Sequence, residues 1–159
     1  MGLTKFLLAL YIIGLTLTHV SLAGNDQKDF VNGHNAVRAK VGVPPLKWNN
    51  TLAAYARKYA NTRIAKCELE HSNGPYGECI AEGFEELKAA DAVKLWASEK
   101  PYYDHKSNKC VHGECRHYTQ LVWRDTKRIG CATVKCHNGW MFVTCNYDPP
   151  GNYEGERPY

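Results

Sequence analysis

"RIGCATVKCHNGWMFVTCNYD", Arg128 to Asp148, decides the fold class. Two β-rich runs, "RIGCATVKC" and "WMFVTCNYD", flank "HNG", a tight hairpin signal. Upstream the pattern is helical. From about Gln27 to Lys40 the apolar residues Phe30, Val37 and Val41 recur near helical spacing, with His34 on the same stripe. The two prolines of "GVPPL" stop that run, because proline cannot continue a helix. "NNTLAAYARKYANTRIAKC" predicts a second helix with an Asn cap and Leu52, Ala56, Tyr59, Ala60 and Arg63 on one face. "KAADAVKLWASEK" predicts a third, with Ala89, Val93 and Trp96 inward and Pro101 close after its end. Helices followed by a hairpin predict a compact mixed α/β domain with an antiparallel sheet. The segments from Cys67 to Lys88 and "PYYDHKSNKCVHGECRHY" read as irregular and polar, the kind of segment in which function tends to sit.

The first residues give an address. "MGLTK" carries one positive charge, "FLLALYIIGLTLTHV" is a short apolar run, and "SLA" offers small residues for a signal peptidase. Residues 1–23 therefore read as a secretory signal peptide, too short for a membrane span. The mature part, 24–159, is a single domain by size. The mature part carries 19 Lys and Arg against 16 Asp and Glu, a mildly basic +3 with no run of five like charges, which argues against a nucleic-acid partner. Asn49-Asn50-Thr51 is an N-glycosylation sequon.

All 7 cysteines lie beyond the leader, and in an oxidising compartment they read as three bridges and one spare thiol. Spacing alone leaves about 105 arrangements open. No C-x2-C pair supports a zinc site, and no G-x-S-x-G elbow, H-E-x-x-H helix or P-loop is present. "YGECIAEG" sets Cys79 beside Glu78, where it reads as a nucleophile, a link to another chain, or a bystander. A stronger constellation is His71 and Glu78 around the "SNGPYG" turn, Glu99 just after the third helix, and His117 at the start of "HYTQLVW". Two imidazoles and two carboxylates brought together suit a divalent metal or mutual tuning of pKa values; scattered surface residues are the plainer reading.

"HNAVRAKVGVPPLKWNNTLAAYA", "HSNGPYGE", "LWASEKPYYDH", "CRHYTQLVW", "GCATVKC" and "CNYDPPGNYEGERPY" together resemble the plant pathogenesis-related protein 1 family. That family belongs to the superfamily of cysteine-rich secretory proteins, antigen 5 and pathogenesis-related 1 proteins. The likeness runs from about Phe30 to Tyr159. It implies an α+β fold, a three-layer α-β-α sandwich with a small antiparallel sheet, stapled by Cys67–Cys136, Cys110–Cys115 and Cys131–Cys145. It also implies a cleft carrying His71, Glu78, Glu99 and His117, with no cofactor required and His71 and His117 as candidate zinc ligands. Such a site would be weak, and weaker still below about pH 6, where imidazoles protonate. Where the family has Asn this chain has Cys79, which becomes the odd cysteine, a bystander with a disulfide dimer as the alternative to a monomer.

The aromatic loop "PYYDHKSNKC", with Tyr102, Tyr103 and His105, resembles a sterol-binding segment of the superfamily. The resemblance thus implies a secreted, apoplastic defence protein that binds membrane sterols of fungi or oomycetes and is not an enzyme. Two alternatives remain. Residues 149–159 resemble a releasable signalling peptide, cut between Asp148 and Pro149 by a processing protease and read by a receptor. The His/Glu tetrad could instead serve a metal-dependent hydrolase.

Overall fold

A computed structural model describes residues 26–159, so the leader expected over 1–23 lies outside the described residues. Helix α1 spans 26–39, and the chain continues as β1 (Lys47–Trp48), α2 (Asn50–Arg63), β2 (Gly77–Phe84) and α3 (Ala89–Ala97). A single 3-10 turn (Lys100–Tyr102) leads into a small hairpin, β3 (Tyr103–Asp104) and β4 (Lys109–Cys110), then α4 (Arg116–Leu121), β5 (Arg128–Lys135) and β6 (Trp140–Asp148). The main sheet has the order β1-β5-β6-β2. Its long pairs are antiparallel, while the two-residue β1 adds a parallel edge.

Alternation along the strands splits the core in two, because successive side chains leave opposite faces. One face sets Cys79, Ala81, Val143, Cys145, Tyr147, Ile129 and Cys131 against Phe30 of α1, Trp96 of α3 and Tyr118 of α4. The other sets Ile80, Ala132, Val134 and Phe142 against Ala56 and Ala60 of α2. The result is the three-layer α-β-α sandwich. Helix α2 lies close because Gly130 has no side chain: a Cβ there would stand 2.1 Å from the Ala53 nitrogen. Asn49 caps α2, its Oδ1 accepting the Leu52 N–H at 3.0 Å. The sequon asparagine thus spends its side-chain oxygen on the helix.

Two segments expected to be irregular are ordered. Residues 77–84 form a full strand, paired with β6 from Gly77↔Tyr147 to Phe84↔Trp140. Their mixture of Gly, Glu, Cys and Ala hides it, since both faces are covered near its middle and no apolar/polar alternation survives. The stretch from Pro101 to Tyr118 contains the small hairpin and the start of α4. Helix α4 is only 6 residues long, and two carboxylates satisfy its leading N–H groups. Glu114 Oε1 accepts from Cys115 N (3.1 Å) and Arg116 N (2.8 Å), and Glu99 Oε2 from His117 N (3.0 Å) and Tyr118 N (3.2 Å).

The buried stripe of α1 is Phe30, His34 and Arg38, with Val37 and Val41 only partly covered. His34 is neutral. Its Nδ1–H donates to Phe30 O (2.7 Å), so its Nε2 accepts from the Tyr147 hydroxyl (2.8 Å). Burial lowers its pKa from 6.5 to about 4, with the Arg38 charge adding to the effect. The unfolded chain therefore takes up a proton near pH 6.5 that the folded chain refuses until about pH 4. Stability is expected to fall as pH drops through that window, by on the order of 3 kcal/mol in total. Urea titrations across the window check this, because the difference in pH slope between wild type and His34→Gln isolates the imidazole. Parallel slopes would refute it.

Candidate functional site

The sheet ends at β2, and a cleft of about 380 Å³ lies over that edge. His71, Glu78 and His117 line it together with Tyr76, Arg116 and Gln120. Gly77 keeps it open at the base, since a Cβ there would meet Gln120 Oε1 at 2.3 Å.

The four residues singled out from the sequence form two imidazole–carboxylate pairs. On the α2 side, Glu78 Oε1 accepts from His71 Nδ1 and from Ser72 N, both at 2.8 Å, and Oε2 accepts from buried Asn146 at 3.2 Å. The Glu78 side chain is 6% exposed and His71 54%, so a buried carboxylate holds an imidazole at the surface. On the α3–α4 side, Glu99 Oε1 accepts from His117 Nδ1 at 2.6 Å, and the His117 ring stacks on Trp96 at 6.3 Å. Glu99 itself does not line the cleft; it caps α4 from behind and orients the imidazole that does. Glu114, which shares the capping, was not picked out in the sequence. Its one signal there is a carboxylate directly before Cys115.

Both imidazoles use Nδ1 as donor to a carboxylate, which leaves a lone pair on Nε2, the arrangement found behind metal-ligating histidines. Among the described residues no three His, Cys, Asp or Glu side chains converge to hold a metal ion. His71 and His117 line the same cleft, and a metal held between them would have its remaining positions left to water or ligand. Both carboxylates are already committed to hydrogen bonds.

Cys79 is 1% exposed and lies in the core. It hydrogen-bonds with Tyr147, its sulfur stands 4.0 Å from His117 O, and burial pushes its pKa well up. A thiol so enclosed is out of reach of a second molecule in the folded chain, which speaks for the bystander reading over the disulfide dimer. Cys79 is also not among the residues that line the cleft. The remaining cysteines pair as Cys67–Cys136, Cys110–Cys115 and Cys131–Cys145, a set that fits an oxidising compartment.

A second cavity of about 350 Å³ opens behind the aromatic loop, lined by Tyr103, Trp123, Tyr153 and Arg116. Tyr102 is 42% exposed, whereas Tyr103 is half-buried, its hydroxyl donating to Asn108 at 2.9 Å. Tyr159 packs edge-on to Tyr103 and stacks on His105 at 4.9 Å. The 149–159 segment is tied down along its length. Thr126 donates to Pro149 O (2.9 Å), Gly151 N to Gln120 (3.0 Å), Asn108 to Glu156 O (2.9 Å), and Arg157 to His105 O and Lys106 O. Asp148, before the expected cleavage point, ends β6 and pairs with Arg128.

Residues 31–147 match the family model described as the cysteine-rich secretory protein family, CAP. The basic form of pathogenesis-related protein 1 of Nicotiana tabacum is 54% identical over 159 residues, covering 100% of this chain and 90% of that protein. Pathogenesis-related protein 1 of Arabidopsis thaliana is 50% identical over 137 residues, 86% of this chain and 84% of that protein. Among solved structures, Schistosoma mansoni venom allergen-like protein 4 superposes with a TM-score of 0.67 at 32% identity, covering 84% of this chain and 93% of that one. The plant relatives carry the names of pathogenesis-related proteins, not of enzymes.

Proposed function

Because the chain belongs to the cysteine-rich secretory protein family, we propose that it is a secreted plant defence protein of the pathogenesis-related 1 type. It acts on fungi or oomycetes in the extracellular space by binding membrane sterol rather than by turnover. The observation that carries this reading is the exposed Tyr102 next in sequence to Tyr103, which with Trp123 and Tyr153 gives rings to an otherwise largely polar cavity of about 350 Å³, a size within the range of small-molecule sites. A rigid, mostly apolar ligand suits flat ring faces with wet hydroxyls. The loop presents Tyr102 freely, while Tyr103 is largely engaged with Asn108, Tyr118 and Tyr159.

Equilibrium binding of a labelled sterol to refolded 24–159 tests the reading. Saturable binding is expected, weakened about tenfold in Tyr102→Ala, the loss appropriate to one aromatic contact. Tyr103→Phe, which keeps the packing and drops the Asn108 bond, is expected to lose less. No saturable binding by the wild type would sink the proposal. Zinc on His71 and His117 is not required by it. A metal-dependent hydrolase is the less supported reading, since Glu78 and Glu99 are each engaged with an imidazole and main-chain N–H groups. A peptide precursor would first have to free Asp148 and Pro149 from the contacts that hold them.

A further inference from the structure

Tyr159 occupies a seat whose chemistry suits a hydroxylated ring. Its ring stacks on His105 with centroids 4.9 Å apart and planes at 28°, and it meets Tyr103 edge-on at 6.1 Å. Its hydroxyl stands 3.3 Å from that of Tyr118, a side chain only 1% exposed. Among the described residues the Tyr118 hydroxyl has no other hydrogen-bond partner. The seat thus has ring walls and one polar atom at its inner end. Such a shape selects a flat body with a hydroxyl at its tip.

The ring is held more lightly than the backbone that carries it. Pro158 is buried, and its carbonyl accepts from Arg124 N at 2.7 Å. Arg157 bonds His105 O and Lys106 O, and Asn108 bonds Glu156 O. His105 Nε2 donates to the Tyr159 main-chain oxygen at 2.9 Å, a bond that does not involve the ring. The side chain itself is only partly covered, and 3.3 Å is long for hydroxyls, whose usual separation is about 2.7–2.8 Å. Rotation about the Tyr159 side-chain torsions therefore vacates the seat while the segment stays docked. Tyr103 and Pro158 both line the cavity of about 350 Å³, and Tyr159, which adjoins both, does not. Vacating the seat extends that cavity along Tyr103 to the Tyr118 hydroxyl.

We propose that the seat is the hydroxyl-binding end of the sterol site and that the Tyr159 ring is its built-in competitor. The proposal rests on the sterol reading and adds to it an orientation and a gate. The hydroxyl-bearing ring of the sterol takes the place of the Tyr159 ring, against Tyr103 and His105. Its oxygen accepts from the Tyr118 hydroxyl. The remaining rings lie in the cavity between Tyr103 and Trp123. Tyr118, buried in the free protein, thereby becomes a specificity-determining residue. Because the seat is filled most of the time, the apparent affinity is lowered by the fraction that is vacant.

Equilibrium binding of labelled cholesterol to refolded 24–159, Tyr159→Ala and Tyr118→Phe tests this. Cholest-5-ene, which lacks the hydroxyl, serves as the comparison ligand. Tyr159→Ala removes the competitor and is expected to bind cholesterol about tenfold tighter, the factor by which ring contacts of this kind hold a seat shut. The wild type is expected to prefer cholesterol to cholest-5-ene by on the order of fivefold, the worth of one hydrogen bond, and Tyr118→Phe to lose that preference. NMR of the wild-type Tyr159 ring adds a readout independent of affinity. At saturation its signals are expected to leave their stacked position for that of a free tyrosine. Wild-type binding with no tighter binding in Tyr159→Ala, or Tyr159 signals that stay in place, overturns the gate and leaves the sterol reading standing. A preference for cholesterol that survives in Tyr118→Phe places the hydroxyl elsewhere and overturns the orientation. No saturable binding by the wild type or by Tyr159→Ala overturns both readings together.

Discussion

Arg38→Ala is expected to cost at least 4 kcal/mol of folding stability, or to abolish a cooperative transition altogether. Arg38 is 0% exposed, and its guanidinium donates only to main-chain carbonyls. Nε bonds Pro44 O at 2.7 Å, Nη1 bonds Leu121 O and Trp123 O at 2.9 Å, and Nη2 reaches Thr126 O at 3.2 Å and Arg124 O at 3.4 Å. Burial draws its pKa down to about 10, which still leaves it charged at any working pH. It bolts α1 to the segment after α4, and so fixes from behind the helix that carries His117. Truncation leaves several carbonyls without a donor, each costing roughly 1–3 kcal/mol where water cannot replace it. Arg38→Lys supplies fewer donors on a point charge and is expected to lose about 2–3 kcal/mol. Arg57→Ala is the control: an exposed side chain with one bond to Thr133 O, expected to lose under about 1 kcal/mol. Urea unfolding of the three variants gives the order, and an Arg38→Ala loss within that of Arg57→Ala would refute the account.

Arg38 also shows why part of the core was not legible. It lies four residues after His34 on the same stripe, but an arginine at a periodic position reads as solvent-facing, because charged side chains are rarely buried without a carboxylate. Its partners are carbonyls from segments distant in sequence, which no local pattern announces. Helix α2 was legible for the opposite reason. Its cap, its small apolar face and its stop are all local, and Asn49, Leu52, Ala56 and Ala60 take the places assigned to them. The β5–β6 hairpin was likewise written in two runs and an Asn-Gly pair. Strand β2 was not, since its pairing with β6 is long-range and its composition is that of a loop.

The site divides in the same way. Chemistry alone offered two imidazoles and two carboxylates with no reason to meet; the family resemblance supplied the reason. Neither distinguished the residues that face the cleft from the one that stands behind it. Glu99 acts through the N-terminus of α4, and that role depends on a helix too short to be seen in "CRHYTQLVW". Cys79 was legible as the odd cysteine, but its place in a row with Cys145 and Cys131 required the register of three strands.

Removing Cys67–Cys136 as Cys67→Ala/Cys136→Ala is expected to cost about 4 kcal/mol, from a closed loop with a sequence separation of 69. The same treatment of Cys110–Cys115, with a separation of 5, is expected to cost about 2 kcal/mol. The contrast matters more than either value, because chain entropy in the unfolded state depends on loop length while local packing does not. The two bridges differ in packing as well as in loop length, so stability alone does not separate these causes. Cys67 and Cys136 are both buried against α2, so their removal also opens the smaller core cluster, whereas Cys110 is exposed. If the long bridge acts through the unfolded chain, its loss lowers stability, and a purely local readout such as amide exchange at His137, whose N–H bonds Ile64 O at 2.9 Å, tracks global unfolding. If it acts through packing, that amide exchanges ahead of the rest, and the loop leading from Cys67 to His71 loosens with it. Equal stability losses from the two double variants would rule out loop length as the cause. Denaturant unfolding paired with amide exchange decides between them, and with it whether the bridge serves the whole fold or specifically the imidazole at the cleft.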